Sequence, residues 1–259
     1  MKVYMSFWTQ EDTLKSYQFF KILKVALYYA KQHYNEIHLI TDYRGEELLK
    51  DIFSWSSITT ELESLPREYK NVWSLGKIKS YDIIADRGDP FLHLDYDVFL
   101  VKELPIDLIN ADIFCQSIER ECNIMYKLVE FEKYCINKFY EDKFKTNWAP
   151  NCGIIGGKDL DFFKKYAELA LKSILAKENI EFWGTPYYIH SDIKSCLAEQ
   201  YYLAVASNIF NKKIKSLFSR SNYNIKIHSK SGYVHLIRDA KNSPMALKNI
   251  QYLNDFIIK

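Results

Sequence analysis

Two carboxylates set two residues apart inside an apolar run are the residues best equipped for chemistry in this chain. The stretch Phe91-Leu92-His93-Leu94-Asp95-Tyr96-Asp97-Val98-Phe99-Leu100 reads as a β pattern with both acids in its middle. Buried, unpaired carboxylates are costly, so Asp95 and Asp97 need a cation, or the strand ends there and exposes them. In an extended chain, residues two apart point the same way. Asp95 and Asp97 would then present oxygens to one hard divalent cation, Mg²⁺ or Mn²⁺. The competing reading is a strand end at which both acids cap the backbone or pair with arginines. A bare D-x-D does not choose between the two.

The elements around this pair alternate. Lys2 to Trp8 is β-rich. Leu14, Tyr17, Phe20, Leu23 and Leu27 recur at helical spacing, which predicts an amphipathic helix over Asp12 to Tyr34. Short strands follow at Glu36 to Thr41 and Ile58 to Leu62, with helices at Glu46 to Phe53 and Tyr69 to Ala85, before the apolar strand Phe91 to Leu94. This β-α-β-α rhythm predicts an α/β fold, a mostly parallel mixed sheet with helices on both faces. In such sheets ligands bind at the carboxyl ends of the strands. The second half is less regular. It predicts a strand at Ala111 to Ser117 and a helix at Arg120 to Tyr140. A small-residue loop, Asn151 to Gly157, leads into helices at Asp159 to Lys177, Ser191 to Ala206 and Ser243 to Ile258.

Composition excludes several classes. With 259 residues, 48% hydrophobic and 26% charged, the chain can bury a sizeable core as one large domain. Its 20 Tyr, 16 Phe and 5 Trp exclude wholesale disorder. A net charge of +2 gives no global signal for polyanion binding. Cys115, Cys122, Cys135, Cys152 and Cys196 form no C-x-x-C pair, which predicts free structural thiols and no zinc site. No apolar run approaches the ~20 residues of a membrane helix, and the N-terminus lacks a signal-peptide core. The expected location is cytoplasmic. From Tyr201 to Arg238 there is no acid but seven basic residues, read as a solvated surface or as a peripheral patch for anionic lipid or a lipid-linked acceptor. Nucleic acid is the weakest reading.

Asp95-Tyr96-Asp97 after an apolar strand resembles the D-x-D motif of nucleotide-sugar glycosyltransferases with the GT-A fold. That resemblance implies donor ribose or metal on Asp95 and a metal, Mn²⁺ or Mg²⁺, on Asp97 beneath the donor diphosphate, with Tyr96 in the same segment. Asn151-Cys152-Gly153-Ile154-Ile155-Gly156-Gly157 is similar to the family's N-x-G segment, which places Asn151 and Gly153 on the acceptor side. Ala198-Glu199-Gln200-Tyr201 resembles the D-Q-D segment of retaining galactosyl- and glucosyltransferases related to glycogenin, with Glu for the first Asp and Tyr201 for the last. Val234-His235-Leu236-Ile237-Arg238-Asp239-Ala240-Lys241 resembles their H-x-x-G-x-x-K, with Arg238 in place of Gly. The likeness implies His235 as a third metal ligand and Lys241 as a charge on the leaving diphosphate, and His228 is the rival ligand. Phe7, Trp8 and Thr9, closing the first strand, fall where the family holds the base. Lys77 and Lys79 are candidates for donor contact. Glu199 or Asp192 would be the base of an inverting enzyme, and Gln200 would lie beneath the sugar in a retaining one.

The resemblance thus implies a single GT-A-like domain over residues 1–259, with a nucleotide-binding half at 1–100 and an acceptor half at 101–259. Its donor would be a nucleotide sugar, UDP-linked by preference. Its acceptor would be a saccharide or a lipid-linked glycan, a bacterial surface polysaccharide for instance. A haloacid-dehalogenase phosphatase wants its D-x-D on the first strand, and a sugar-nucleotide pyrophosphorylase wants a Gly-rich loop where Ser6 to Gln10 has no glycine. Neither a phosphate loop G-x-x-x-x-G-K-[ST] nor a G-x-S-x-G elbow is present. The remaining alternative is a glycosyltransferase-like protein that binds nucleotide or glycan without turnover.

Overall fold

A computed structural model describes residues 1–9, 17–120, 145–186, 189–218 and 231–236. The expected helices at Arg120 to Tyr140 and Ser243 to Ile258 fall outside these residues, apart from Arg120 itself. So do His228, Lys241, Cys122, Cys135 and Arg220, Lys226, Lys230 and Arg238 of the basic run.

Strands β1 (Lys2–Phe7), β2 (Ile37–Thr41), β3 (Ser57–Thr59) and β4 (Phe91–Leu94) lie parallel in the order β3-β2-β1-β4. Helices α1 (Tyr17–His33), α2 (Tyr43–Leu49) and α3 (Leu75–Arg87) connect them. Each crossover returns the chain to the same edge, so the carboxyl ends of the strands and the start of α3 share one side of the sheet. Strand β5 (Val98–Leu100) then leaves the sheet, and α4 (Ile106–Ile109) leads to β6 (Ile113–Arg120). The long strand β7 (Trp148–Gly157) runs antiparallel between β4 and β6, and β8 (Lys215–Phe218) lies parallel to β6 at the edge. Helices α5 (Leu160–Ile174), α6 (Ile180–Trp183), α7 (Ser191–Cys196) and α8 (Tyr202–Ile209) follow β7, and β9 (Tyr233–His235) pairs antiparallel with β5.

Alternate strand residues feed two cores. Tyr4, Phe91 and Ile155 pack on one face with Ile78 of α3, Phe163 of α5 and Leu203 of α8. Val3, Met5, Leu92 and Ile154 pack on the other with Ile22 and Ala26 of α1. A mostly parallel mixed sheet with helices on both faces is therefore the architecture, as the sequence rhythm predicts.

One expected loop is a central strand. Asn151 to Gly157 belongs to β7, paired on both sides. The small residues are there for packing: a Cβ on Gly156 would lie 2.1 Å from the Phe91 carbonyl oxygen. Helix α2 begins three residues before the expected Glu46, because the Asp42 carboxylate accepts from Gly45 N and caps it. Helix α3 starts at Leu75 rather than Tyr69, because Tyr69 closes a short 3₁₀ turn at Arg67–Tyr69 and the chain turns again before the helix. Among the described residues no helix is long and apolar enough to cross a membrane. Cys115, Cys152 and Cys196 are free thiols, and burial pushes the Cys115 and Cys152 thiols up, keeping them neutral.

Candidate metal centre

Strand β4 ends at Leu94, but Asp95 N still donates to Gly153 O of β7 at 3.0 Å. Val98 N then donates to Asp95 O at 3.1 Å, closing a turn over Asp95–Val98. The two acids are brought together by this turn and not by strand alternation. The turn delivers the chain into β5, whose Val98 is in register with His235 of β9. Leu236 N donates to Asp97 O at 2.9 Å and fixes that register beside the acids.

Asp95, Asp97 and His235 consequently offer ligand atoms that all lie within 4.8 Å of one another. His235 Nε2 is 3.3 Å from Asp97 Oδ1 and 4.0 Å from Asp95 Oδ2. The Asp97 side chain is 2% exposed, that of His235 11% and that of Asp95 20%, so the centre is sheltered and opens on the Asp95 side. Two hard carboxylates and one imidazole are a donor set suited to Mn²⁺ or Mg²⁺.

Gly153 forms the floor. A Cβ there would come within 2.4 Å of His235 Cε1 and Nδ1, and within 2.7 Å of Gln116 Oε1. The glycine is thus explained by the ring above it, where the resemblance implied an acceptor-side backbone. Asn151 likewise turns inward: its Oδ1 accepts from Gly153 N at 3.1 Å, and its Nδ2 donates to Glu119 Oε1 at 3.0 Å. Gly153→Ala is therefore expected to displace His235 and to weaken Mn²⁺ binding by roughly 10–100-fold, as loss of support for a ligand does. Calorimetric titration with Mn²⁺ checks it, and unchanged affinity would detach Gly153 from the centre.

A second layer holds Asp95. Lys77 of α3 is buried, and its Nζ meets Asp95 Oδ1 at 2.6 Å, Cys152 O at 2.7 Å and Glu199 Oε1 at 2.9 Å. An ammonium has three protons, and these three acceptors take them all. Donor contact by Lys77 would require breaking one of these bonds. Burial alone would push the Lys77 pKa down, but Asp95 and Glu199 outweigh it and carry the pKa above the usual lysine range.

Glu199 lies in a π-helical turn, Leu197–Tyr201, between α7 and α8, and is 1% exposed. Such single wide turns redirect side chains within a helix. Tyr81 Oη donates to Glu199 Oε1 at 2.7 Å, and Tyr166 Oη to Glu199 O at 2.9 Å. Burial raises the Glu199 pKa, Lys77 pulls against the rise and Asp95 adds to it, because one ammonium serves two carboxylates. Glu199 is thereby joined to Asp95 through Lys77, in a position unlike that of a solvated general base. Gln200 in the same turn is buried too. Asp192 is exposed and accepts from Trp73 Nε1 at 3.3 Å, and Lys79 pairs with Asp82 at 2.6 Å.

At the carboxyl end of β1 the expected base site is a closed network. Phe7 and Tyr96 both pack on Phe19, with ring centroids 5.1 and 4.7 Å away. Trp8 is buried, with the Arg67 guanidinium 5.9 Å above its ring. Asp42, fully buried, accepts from Thr9 N at 2.9 Å, Thr9 Oγ1 at 2.6 Å and Arg67 at 2.9 Å. Sequence reasoning missed Asp42, Arg67 and Gln116. The first stands just after an apolar strand, as Asp95 does, and that was the available signal. Gln116, inside β6, carried none.

No curated protein matches the chain in sequence. Among solved structures it is similar to the apo form of mouse xyloside xylosyltransferase 1, at 10% identity over 83% of this chain and 84% of that one, with a TM-score of 0.46. It is also similar to 4-diphosphocytidyl-2C-methyl-D-erythritol synthase from Anaerococcus prevotii, at 12% identity over 100% of this chain and 96% of that one, with a TM-score of 0.40. At such identities and scores neither likeness speaks to the activity of this chain. A protein family does match: residues 1–255 fit the family of unknown function DUF6734, and the chain belongs to it.

Proposed function

We propose that the protein is a divalent-metal-dependent glycosyltransferase that moves a sugar from a nucleotide sugar, UDP-linked by preference, to a hydroxyl of a saccharide or lipid-linked acceptor. The observation that carries this reading is the convergence of Asp95, Asp97 and His235 at the carboxyl edge of the sheet. The mixed sheet agrees with the GT-A-like architecture that the D-x-D resemblance implies. Asp95, Asp97 and His235 would hold the metal. When bound, it supplies Lewis-acid neutralisation of charge on the departing nucleoside diphosphate.

The chain's own residues do the rest. Lys77, anchored by Glu199 and Cys152 O, orients Asp95. Lys241 supplies a positive charge to the leaving diphosphate. The bond from the anomeric carbon to the diphosphate oxygen breaks, and a bond to the acceptor oxygen forms. The acceptor proton passes to the leaving diphosphate in a retaining route. With Glu199 engaged by Lys77, an inverting route would fall to another carboxylate, of which Asp192 is exposed.

A specific observation keeps a second reading in view. Glu199, which stands for the first Asp of the D-Q-D segment, is buried and engaged by Lys77 and Tyr81, which fits a protein that binds the nucleotide sugar without turnover. Incubating the protein with a set of nucleotide sugars, with Mn²⁺ or Mg²⁺ and then with chelator, separates the two. Release of nucleoside diphosphate only with metal, even by slow hydrolysis, is the expected result. Tight binding with no release under any condition would favour the binding protein.

A further inference from the structure

We infer that Gln116, buried on β6, is the positioning residue that turns His235 toward the two aspartates. The inference rests on the metal reading above. His235 Nδ1 lies 2.9 Å from Gln116 Oε1, and the Gln116 side chain is 2% exposed. An amide oxygen only accepts, so the proton of this bond sits on Nδ1. The other ring nitrogen, Nε2, is then the one left to face Asp97 Oδ1 at 3.3 Å and Asp95 Oδ2 at 4.0 Å, where it can serve as the ligand atom. The bond to Gln116 holds the ring with Nε2 toward the two carboxylates. A ligating histidine whose second nitrogen donates to a fixed oxygen has its tautomer and ring plane set before the metal arrives.

The placement comes from three separate strands. Gln116 stands on β6 at the irregularity between Cys115 and Ser117, where the pairing with β7 shifts register. Gly153 on β7 leaves the space that the ring and the amide share. His235 arrives from β9. The extra residues lie on β7, where Cys152, Gly153 and Ile154 stand opposite the single Gln116, so Gly153 and Gln116 meet His235 at the same irregularity. The geometry thus distinguishes Gln116 from its neighbours on β6: Cys115 donates to Ser117 O within the strand.

The test compares Gln116→Met, of similar length and without the acceptor oxygen, with Gln116→Glu, which keeps an acceptor there. Mn²⁺ affinity is read by calorimetry beside thermal unfolding of the metal-free proteins. Gln116→Met is expected to bind Mn²⁺ roughly 10–100-fold more weakly, and Gln116→Glu to bind within about threefold of wild type. Wild-type affinity in Gln116→Met overturns the inference. So does equal weakening in both variants, which would mean that Gln116 only fills space. Should Gln116→Met not fold, nitrogen NMR of His235 in the wild-type protein carries the test: a proton on Nδ1, and a shift of Nε2 on adding Mg²⁺, are expected. An Nδ1 without a proton in the metal-free protein overturns the role of Gln116. Nδ1 protonation with no response to either metal would instead sink the metal reading and leave the hydrogen bond standing.

Discussion

Asp97→Asn is expected to abolish metal-dependent release of nucleoside diphosphate while leaving the fold intact. The carboxylate is the most sheltered oxygen donor of the centre, 2% exposed, and its Oδ1 is the atom nearest His235 Nε2 at 3.3 Å. An amide keeps the shape and removes the charge. A neutral oxygen binds a hard dication far more weakly than a carboxylate does. Metal stabilisation of a departing phosphate is worth several kcal/mol, and each 1.36 kcal/mol is a factor of ten in rate, so turnover should fall by roughly 10³-fold or more. The readout is nucleoside diphosphate released per minute at saturating Mn²⁺, beside the far-UV spectrum of the variant. Full activity in Asp97→Asn would remove the metal from the reaction.

Lys77→Met should produce the largest loss of stability at the site. Its ammonium is the shared partner of two carboxylates and a carbonyl, all at 2.9 Å or less, with Glu199 and the Cys152 carbonyl away from bulk water. Removing one member of a buried ionic cluster leaves the others desolvated and uncompensated, a cost of about 3–5 kcal/mol. Glu199 would bear most of it, being 1% exposed where Asp95 retains some access to water. Urea unfolding measures the change, and a loss below about 1 kcal/mol would mean that the cluster relaxes or is hydrated. Adding Glu199→Gln to Lys77→Met should restore part of the stability, because an amide can be buried at lower cost than an unpaired carboxylate. The double variant also separates stability from orientation: if it folds well and still binds Mn²⁺ poorly, Lys77 matters to the centre by holding Asp95.

Much of the first half was legible because its signals are local. Apolar spacing located α1, β-branched and aromatic runs located β1, β2 and β4, and their alternation predicted a parallel sheet. The failures have physical causes as specific as the successes. The run Asn151 to Gly157 lacks the large side chains by which a strand announces itself, and its glycines reflect what presses on it: the Phe91 carbonyl on Gly156 and the His235 ring on Gly153. Those neighbours are about sixty residues upstream and eighty downstream, so no local pattern encodes them. No local pattern marks Lys77 or Glu199 as buried. Their burial depends on α3 and the π turn lying against each other, which only the packed structure supplies.

By itself the sequence determined the α/β class and the apolar strand that leads to the paired acids, since hydrophobic period and the cost of burying charge act within a few residues of chain. His235 entered only through the resemblance to the H-x-x-G-x-x-K segment. Tertiary structure decided the rest. It made Asp95–Val98 a turn, brought His235 in on β9, set Gln116 behind the ring and tied Lys77 to Glu199. Metal coordination and charge pairing act through space over a few ångströms, and residues separated by a hundred positions reach that distance only when the sheet has formed.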